Sequence, residues 1–203
     1  MPPRPADQEP RLCAVLQAAV SVFARYGYRK TSMDDVASAA GVSRQGLYLS
    51  FANKEALFRR ALEYSLSDQL ACAMAALSRA EDDLESRIIA ACQEWSGRFV
   101  GSIGADAADL MCASTSLAGS TLTDYEGQFE AALATAIGGT PVAERCAAAG
   151  LNIADFARAV HATARGLKQS CKTQEDFVNG MTAAVRMACM PSNRQRQLKG
   201  FAP

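Results

Sequence analysis

Arg44, Gln45 and Tyr48 are polar side chains, close together in the chain, whose hydrogen-bonding groups suit contacts with a nucleic acid. The guanidinium and the amide match the edges of guanine and adenine, and a tyrosine hydroxyl can donate to a phosphate. Gly46 between them permits close backbone approach. Lys54 follows at an expected helix start, where free N–H groups and the helix dipole favour a phosphate oxygen. These residue types at this spacing indicate DNA binding, provided that a helix presents them to solvent.

Three short helices are expected to position these side chains. An apolar stripe from Leu12 to Phe23 predicts a first helix that ends near Tyr26, because Gly27 is a typical C-terminal cap. Thr31 or Ser32, each three residues before an aspartate, caps a second helix that begins near Met33.

A tight turn and a third helix follow. Gly41 can adopt the left-handed conformation that a sharp turn needs, and Ser43 caps a helix from Arg44 to about Ser50. Leu47 and Phe51 lie four residues apart and must face the core, so the other side of this helix faces outward. This is a helix-turn-helix pattern, whose exposed face can enter the major groove.

The stretch FARYGYRKTSMDDVASAAGVSRQGLYLSFANKEALF resembles the N-terminal domain of TetR-type transcriptional regulators. The resemblance, which covers about a quarter of the chain, implies a helical homodimer, usually a repressor, with a DNA-reading head and a larger domain that binds a small inducer and dimerises. Carried across residue by residue, the DNA contacts are Thr31 or Ser32, Ser43, Arg44, Gln45, Gly46, Tyr48, Leu49, Ser50 and Lys54. Leu49 departs from the family, in which an aromatic or polar side chain is common here, so a thymine-methyl contact is the remaining option.

The predicted fold is all-α, with about nine helices: a three-helix DNA-binding head followed by a helical ligand-binding and dimerisation domain. We assign residues 1–10 to a disordered tail, 11–53 to the helix-turn-helix domain, 54–190 to the ligand-binding and dimerisation domain, and 191–203 to a flexible basic tail. The fourth helix is expected to run from Lys54 to Leu77 as a rod that links head and body. Later helices are predicted from about Ala105 to Leu117, stopped by Gly119, and again from Thr123 to Ile137.

Two last helices, about Ile153 to Ser170 and Gln174 to Met190, resemble the dimerisation pair of the family because small residues recur along both. The competing interpretation is an ordinary alanine-rich intramolecular core. The candidate dimer-interface residues are Val160, Ala164, Leu167, Phe177, Met181, Ala184 and Met187.

An inducer pocket is expected among large apolar side chains with a few polar groups. The candidates are Trp95, Phe99, Met111, Ser114, Thr115, Tyr125, Phe129, His161 and Arg165. Each of these residues also fits an ordinary core position. The identity of the inducer is not readable from the sequence.

The charge balance and the residue composition exclude two further classes of protein. The formal net charge is zero, with nine Lys or Arg against six Asp or Glu in residues 1–64 and twelve against fifteen in residues 65–203. This modest surplus in the head excludes a non-specific architectural DNA binder and predicts that dimerisation supplies much of the affinity. With one histidine and no glycine-rich phosphate loop, we expect no enzyme, no catalytic residues, no metal site and no cofactor.

Seven cysteines without a C-x-x-C pair indicate neither a disulfide framework nor a zinc site. The N-terminus lacks a signal-peptide core and no apolar run approaches a membrane span, so a cytoplasmic protein with no membrane partner is expected. The expected partners are double-stranded operator DNA, a second copy of the chain and an unknown small-molecule inducer. Two alternatives stay open: a ligand-binding helical dimer that no longer reads specific DNA, and a redox-responsive regulator that uses one of its cysteines.

Overall fold

A computed structural model describes residues 5–101 and 107–190, and within these ranges the chain is helical and forms no strand. The described elements are α1 (Pro5–Lys30), α2 (Met33–Ala39), α3 (Arg44–Ser50), α4 (Lys54–Leu77), α5 (Leu84–Cys92), a π-helical turn (Gln93–Gly97), α6 (Ala107–Ile137), α7 (Pro141–Ala148), α8 (Ile153–Ser170) and α9 (Gln174–Cys189). The predicted all-α fold is confirmed. None of the described helices is long and apolar enough to cross a membrane.

The chain divides into two compact units, residues 1–71 with 101–127, and residues 72–100 with 128–203. Both α4 and α6 begin in unit 1 and end in unit 2. Unit 1 therefore includes residues 101–127, which the sequence analysis placed in the C-terminal domain. Helix α1 begins at Pro5, so residues 5–10 are helical and not the disordered tail expected from sequence. Residues 1–4 and the expected basic tail over 191–203 lie outside the described residues.

Local hydrogen bonds explain the boundaries of α2 and α3. The Ser32 hydroxyl accepts the Asp35 N–H (3.2 Å) while the Asp35 carboxylate accepts the Ser32 N–H (2.8 Å), a complete capping box. The Ser32 hydroxyl also donates to the Asp35 carboxylate (2.7 Å), and this bond together with the one from the Ser32 N–H holds the pKa of Asp35 below its ordinary value. The Ser43 hydroxyl accepts the Gly46 N–H (3.0 Å), and Gly41 makes the turn between the helices with φ +65°.

The core of unit 1 joins α1–α4 with the first part of α6. Phe23, Leu47 and Phe58 are buried together, and Ala113 of α6 belongs to the same cluster. At the end of α1, the Arg29 backbone N–H donates to the Asp109 carboxylate of α6 (2.8 Å). Helical geometry fails at Gly27 (φ 79°, ψ 173°), where the sequence predicted the cap.

The core of unit 2 is built around α9, which packs against α5, α8 and the π-helical turn. Phe129, Leu133, Phe177 and Met181 are fully buried there. Helix α6 consists of two helical segments joined by a kink at Ala118 (φ −148°, ψ 31°), which lies between the predicted end of the first helix at Leu117 and the predicted stop at Gly119. The predicted start at Ala105 lies outside the described residues.

Candidate functional site

Helix α3 presents one face to the core of unit 1 and the opposite face to solvent. Leu47 is buried, whereas the side chains of Tyr48 and Leu49 are 43% and 83% exposed. Arg44, Gln45 and Ser50 are exposed on the same helix. Only an exposed helix face can enter the major groove, so this exposed row is the candidate surface for contacts with a nucleic acid.

Two neighbouring side chains contact the guanidinium group of Arg44. Its guanidinium donates to the Asp34 carboxylate of α2 (2.7 Å) and lies over the Tyr48 ring, 5.6 Å from the ring centroid. Both partners of the ion pair are more than half exposed, so the pair contributes at most about 1 kcal/mol and is easily exchanged for a base edge. The sequence analysis missed Asp34, because the pair crosses the α2–α3 turn and follows no helical spacing.

Gly46 has a second role beside the close approach expected from sequence. A Cβ atom at this position would lie 3.1 Å from the Ser43 hydroxyl, which is the cap of α3. A side chain at position 46 would therefore crowd the hydrogen bond that starts the helix.

Thr31 and Lys54 are placed differently from the other predicted DNA contacts. The Thr31 side chain is only 2% exposed, and its hydroxyl donates to the Gly27 carbonyl (2.7 Å). The capping role therefore falls to the exposed Ser32, which leaves Ser32 as the candidate at the start of α2. The Lys54 ammonium donates to backbone carbonyls of Tyr28 (3.0 Å) and Thr31 (3.1 Å), so it is engaged within unit 1.

Unit 2 brings three of the nine candidate ligand residues into one buried cluster. The Trp95 indole N–H donates to Nε2 of His161 (3.2 Å), and the Phe129 ring stacks on Trp95 at a centroid distance of 5.1 Å. Nδ1 of His161 lies 2.8 Å from the Glu130 carboxylate. Because an indole N–H can only donate, Nε2 must accept and the ring proton must lie on Nδ1, which makes His161 a neutral imidazole that donates to Glu130.

Glu130 was not among the sequence candidates. It lies 31 residues from His161 in the chain, and no local pattern joins them. Its carboxylate also approaches Arg158 on the outer side of α8 at 4.0 Å. The cluster therefore connects the buried indole to a charged group at the surface of the same unit.

The other ligand candidates are not gathered at this cluster. Met111, Ser114, Thr115 and Tyr125 belong to unit 1, where Met111 is exposed and the Ser114 hydroxyl donates to its own helix at Leu110 (2.9 Å). In unit 2, Phe99 is half-buried and Arg165 is exposed. Two open grooves of about 650 and 270 Å³ lie in unit 1, and no candidate ligand residue lines either of them. Of the nine candidates, Trp95, Phe129 and His161 are the ones that contact one another, and a ligand-binding role for any of the nine stays a prediction.

The predicted dimer-interface residues divide by burial. Val160, Ala164, Phe177 and Met181 are buried inside unit 2, so they belong to the core of one protomer and not to its surface. This corrects the prediction at these four positions, and the reason is that α8 and α9 pack against each other with those side chains inward. Leu167 and Ala184 are half-buried, and Met187 is 73% exposed.

The cysteines are in mixed surroundings. Cys92, Cys146 and Cys189 are buried, and burial raises the pKa of the Cys92 thiol to about 12. Cys13 and Cys112 are exposed. A buried free cysteine acts as a small apolar side chain, so these three belong to the core, whereas Cys13 and Cys112 do not.

Comparison with known proteins agrees with the geometry of α2 and α3. The family profile described as bacterial regulatory proteins, tetR family, matches residues 15–61. The HTH-type transcriptional regulator YfiR of Bacillus subtilis is 41% identical over 63 residues, which are 31% of each chain. The HTH-type transcriptional repressor ComR of Escherichia coli is 42% identical over 50 residues, 25% of this chain and 24% of ComR. The match thus spans less than a third of these relatives.

The likeness in fold extends further than the likeness in sequence. The crystal structure of E. coli NemR in its reduced form superposes with a TM-score of 0.67 at 17% identity, over 90% of this chain and all of that one. At this identity the superposition shows a shared fold. The sequence match in the head and the shared fold of the whole chain are two independent observations, and the relatives are named as regulators of transcription and not as enzymes.

Proposed function

We propose that this chain, whose residues 15–61 match the tetR-family profile, is a dimeric transcriptional repressor. In this proposal a small-molecule inducer releases the protein from a pseudo-palindromic operator. The observation that carries the proposal is the exposed face of α3, on which Arg44 is held by Asp34 and Tyr48 while Leu47 anchors the helix in the core. Such a face reads base edges without any change in the backbone that supports it.

Gln45 and Tyr48 complete this surface in the proposal. Gln45 adds an amide that matches an adenine edge, and the Tyr48 hydroxyl donates to a phosphate. Ser32 and Ser43 lie at the starts of α2 and α3, where backbone N–H groups favour an anion. Leu49 contributes an apolar contact to a thymine methyl group, and its high exposure leaves it free to do so.

The second copy of the chain is proposed to cover the outer faces of α8 and α9. On α8 the exposed small residues include Ala159, Ala162 and Gly166. On α9, Ala183 and Met187 form an exposed row one helical turn apart. Small residues allow two helix pairs to approach closely, and a two-fold arrangement of such pairs gives a four-helix bundle. This outer row replaces the buried positions that the sequence analysis proposed for the interface.

The dimer has a direct test. Met187→Glu places a charge on the proposed interface, whereas Met74→Glu places the same charge at an exposed methionine of α4 and serves as the control. We expect light scattering to report a monomer for Met187→Glu and an unchanged dimer for the control. A dimer in both variants would place the interface elsewhere.

Release by an inducer is proposed as a population shift. A dimer of this kind binds DNA when its two recognition helices are about 34–36 Å apart. A ligand that binds better to dimers with another spacing therefore lowers their affinity for DNA. By thermodynamic linkage, DNA lowers the affinity for the ligand by the same factor. The buried cluster of Trp95, Phe129 and His161 is the proposed apolar and polar lining for such a ligand. Trp95 is the single tryptophan of the chain, so its fluorescence reports on that cluster alone.

Binding to upstream DNA tests the function as a whole. Purified protein is titrated against a labelled fragment of its own upstream intergenic DNA in excess random duplex, at several salt concentrations. Tight, competitor-resistant binding with a two-fold symmetric footprint supports the proposal. If neither this fragment nor a genome-wide selection of bound fragments yields a preferred sequence, the alternative of a helical dimer without specific DNA recognition is favoured.

A further inference from the structure

Lys54, the first residue of α4, makes an unusually complete set of contacts within unit 1. Its ammonium nitrogen lies 3.0 Å from the Tyr28 carbonyl oxygen, 3.1 Å from that of Thr31 and 3.4 Å from that of Arg29. The same nitrogen lies 4.5 Å from the centroid of the Tyr28 ring. An ammonium group has three N–H donors, so these three carbonyls account for all of them.

The three carbonyls lie at the junction of three helices. Tyr28 and Arg29 follow the break of α1 at Gly27, where carbonyl groups at a helix end have no partner from their own helix. Thr31 directly precedes Ser32, the residue whose capping box starts α2. A cation at this place therefore joins the end of α1, the start of α2 and the start of α4.

Two further contacts stabilise the same junction of α1, α2 and α4. The Thr31 hydroxyl donates to the Gly27 carbonyl (2.7 Å), and the Tyr28 ring packs edge-on against Phe58 of α4 at a centroid distance of 5.0 Å. The direction in which α2 leaves this junction sets where α3 lies, because α3 packs on α2. An ammonium that moved to a phosphate would have to give up these three carbonyls, so the bridge and a phosphate contact compete for the same group.

We propose that Lys54 is a positioning residue, which fixes the α1–α2 junction by bridging its backbone carbonyls and so orients α3 on the operator, and that it makes no contact with a DNA phosphate. This replaces the phosphate contact expected for Lys54 from sequence. The inference rests on the proposed function, since it concerns how the same DNA-reading surface is held.

Salt dependence separates a bridge from a phosphate contact. Affinity for DNA falls with salt, and each lost phosphate contact reduces the magnitude of the slope of log affinity against log salt by about 0.9. A substitution in a dimer removes two such contacts, so the magnitude falls by about 1.8. For Lys54→Met we expect the slope on the operator to equal that of the wild type, while the ratio of operator affinity to random-duplex affinity falls at least about tenfold, the size of a mismatched base pair. Loss of folded protein alone would leave this ratio unchanged.

Two further variants complete the comparison. Lys54→Arg keeps the charge, but a planar fork does not fit three converging carbonyls, so we expect it to lose discrimination as Lys54→Met does. Arg60→Met removes an exposed cation from the same helix, paired with Glu63, and should keep wild-type discrimination. The proposal is overturned if Lys54→Arg behaves as the wild type while Lys54→Met loses about 1.8 from the slope.

Hydrogen exchange tests the bridge in the absence of DNA. We expect Lys54→Met to accelerate amide exchange at Ser32 and Asp35 while amides of α9 in unit 2 keep their protection. Unchanged protection at Ser32 and Asp35 would overturn the proposal. If the wild-type protein binds no preferred sequence, the proposed function fails, but this measurement still decides whether Lys54 holds the junction.

Discussion

The α2–α3 surface of unit 1 and the Trp95–His161–Glu130 cluster of unit 2 are built in opposite ways. The surface is held by hydrogen bonds between residues that are close in the chain, three apart for Ser32 and Asp35 and ten apart for Arg44 and Asp34. In the cluster the hydrogen bonds join residues 66 and 31 apart. The side chains at the surface are exposed, whereas Trp95 and His161 are buried.

This difference in burial means that the residues available for binding DNA are largely not the residues that stabilise the fold. An exposed side chain contributes little to folding, so it can be chosen for what it recognises. A buried polar side chain must keep its partners, because an unsatisfied donor costs about 1–3 kcal/mol. Substitution of an exposed side chain that caps no helix, such as Arg44, should therefore change DNA recognition and leave stability alone. Substitutions in the cluster should lower stability and leave DNA recognition alone.

Arg44→Ala should have the largest effect of the substitutions considered. Loss of a bidentate base contact costs about 1–3 kcal/mol, and in a dimer both half-sites lose it. We expect site preference to disappear in competition titrations, while the thermal unfolding of the free protein stays the same. Asp34→Asn is the control, because it removes the charge of the ion pair and keeps the guanidinium, and it should retain discrimination. Full discrimination by Arg44→Ala would mean that α3 is not the recognition helix.

His161→Leu tests the opposite region. The Trp95 N–H would lose its acceptor, so the free energy of unfolding should fall by about 1–3 kcal/mol in denaturant titrations. The emission of Trp95 should change as well, since its environment changes directly. Glu130→Gln keeps an oxygen that accepts from Nδ1, so a loss below about 1 kcal/mol is expected. If His161→Leu were as stable as the wild type, the cluster would not support the core of unit 2.

Gly97→Ala tests how tightly the π-helical turn is packed beside this cluster. An added Cβ atom would lie 2.7 Å from the Phe177 ring, which is fully buried, so overpacking should destabilise the protein by about 1–3 kcal/mol. Gly127→Ala is the matched control, because it lies in α6 with no atom within 4 Å of the added Cβ. The control should raise the free energy of unfolding by about 0.5–1 kcal/mol. Similar values for both variants would show that the turn has room to adjust.

Ser32→Ala should have the smallest effect of the substitutions considered. It tests a hydrogen bond between residues three apart in the chain, in contrast to the long-range bonds of the cluster. Loss of the N-cap should lower the free energy of unfolding by about 1 kcal/mol in denaturant titrations, because one end of α2 loses its partner. Ser21→Ala is the control, since Ser21 is exposed within α1 and bonds only to its own helix.

The effect of Ser32→Ala should depend on pH. Its hydrogen bonds lower the pKa of Asp35 in the folded protein, so their contribution is present above the ordinary pKa of an aspartate and is lost as the pH falls through the lowered value. The difference between variant and wild type should therefore shrink in acid. A difference that stays constant down to low pH would show that the carboxylate takes no part in the cap.

Caps, turns and most helix bounds were predictable because each depends on residues within a turn or two. Met33, Arg44 and Lys54 begin their helices where the sequence predicts, and Gly41 makes the turn. The break in α6 was also predictable to within one residue, because the sequence indicates a stop at Gly119 and the kink lies at Ala118.

The sequence by itself determined the helices of the head, their caps and the outward face of α3, for the physical reason that hydrogen bonds and apolar spacing over a few residues suffice for them. Only the tertiary structure decided that Lys54 bridges the α1–α2 junction and that Glu130 meets His161. It also decided which of two small-residue stripes on α8 is buried, Ala157 with Ala164 or Ala159 with Ala162. Both stripes have helical spacing, so the choice depends on the helices that pack against α8.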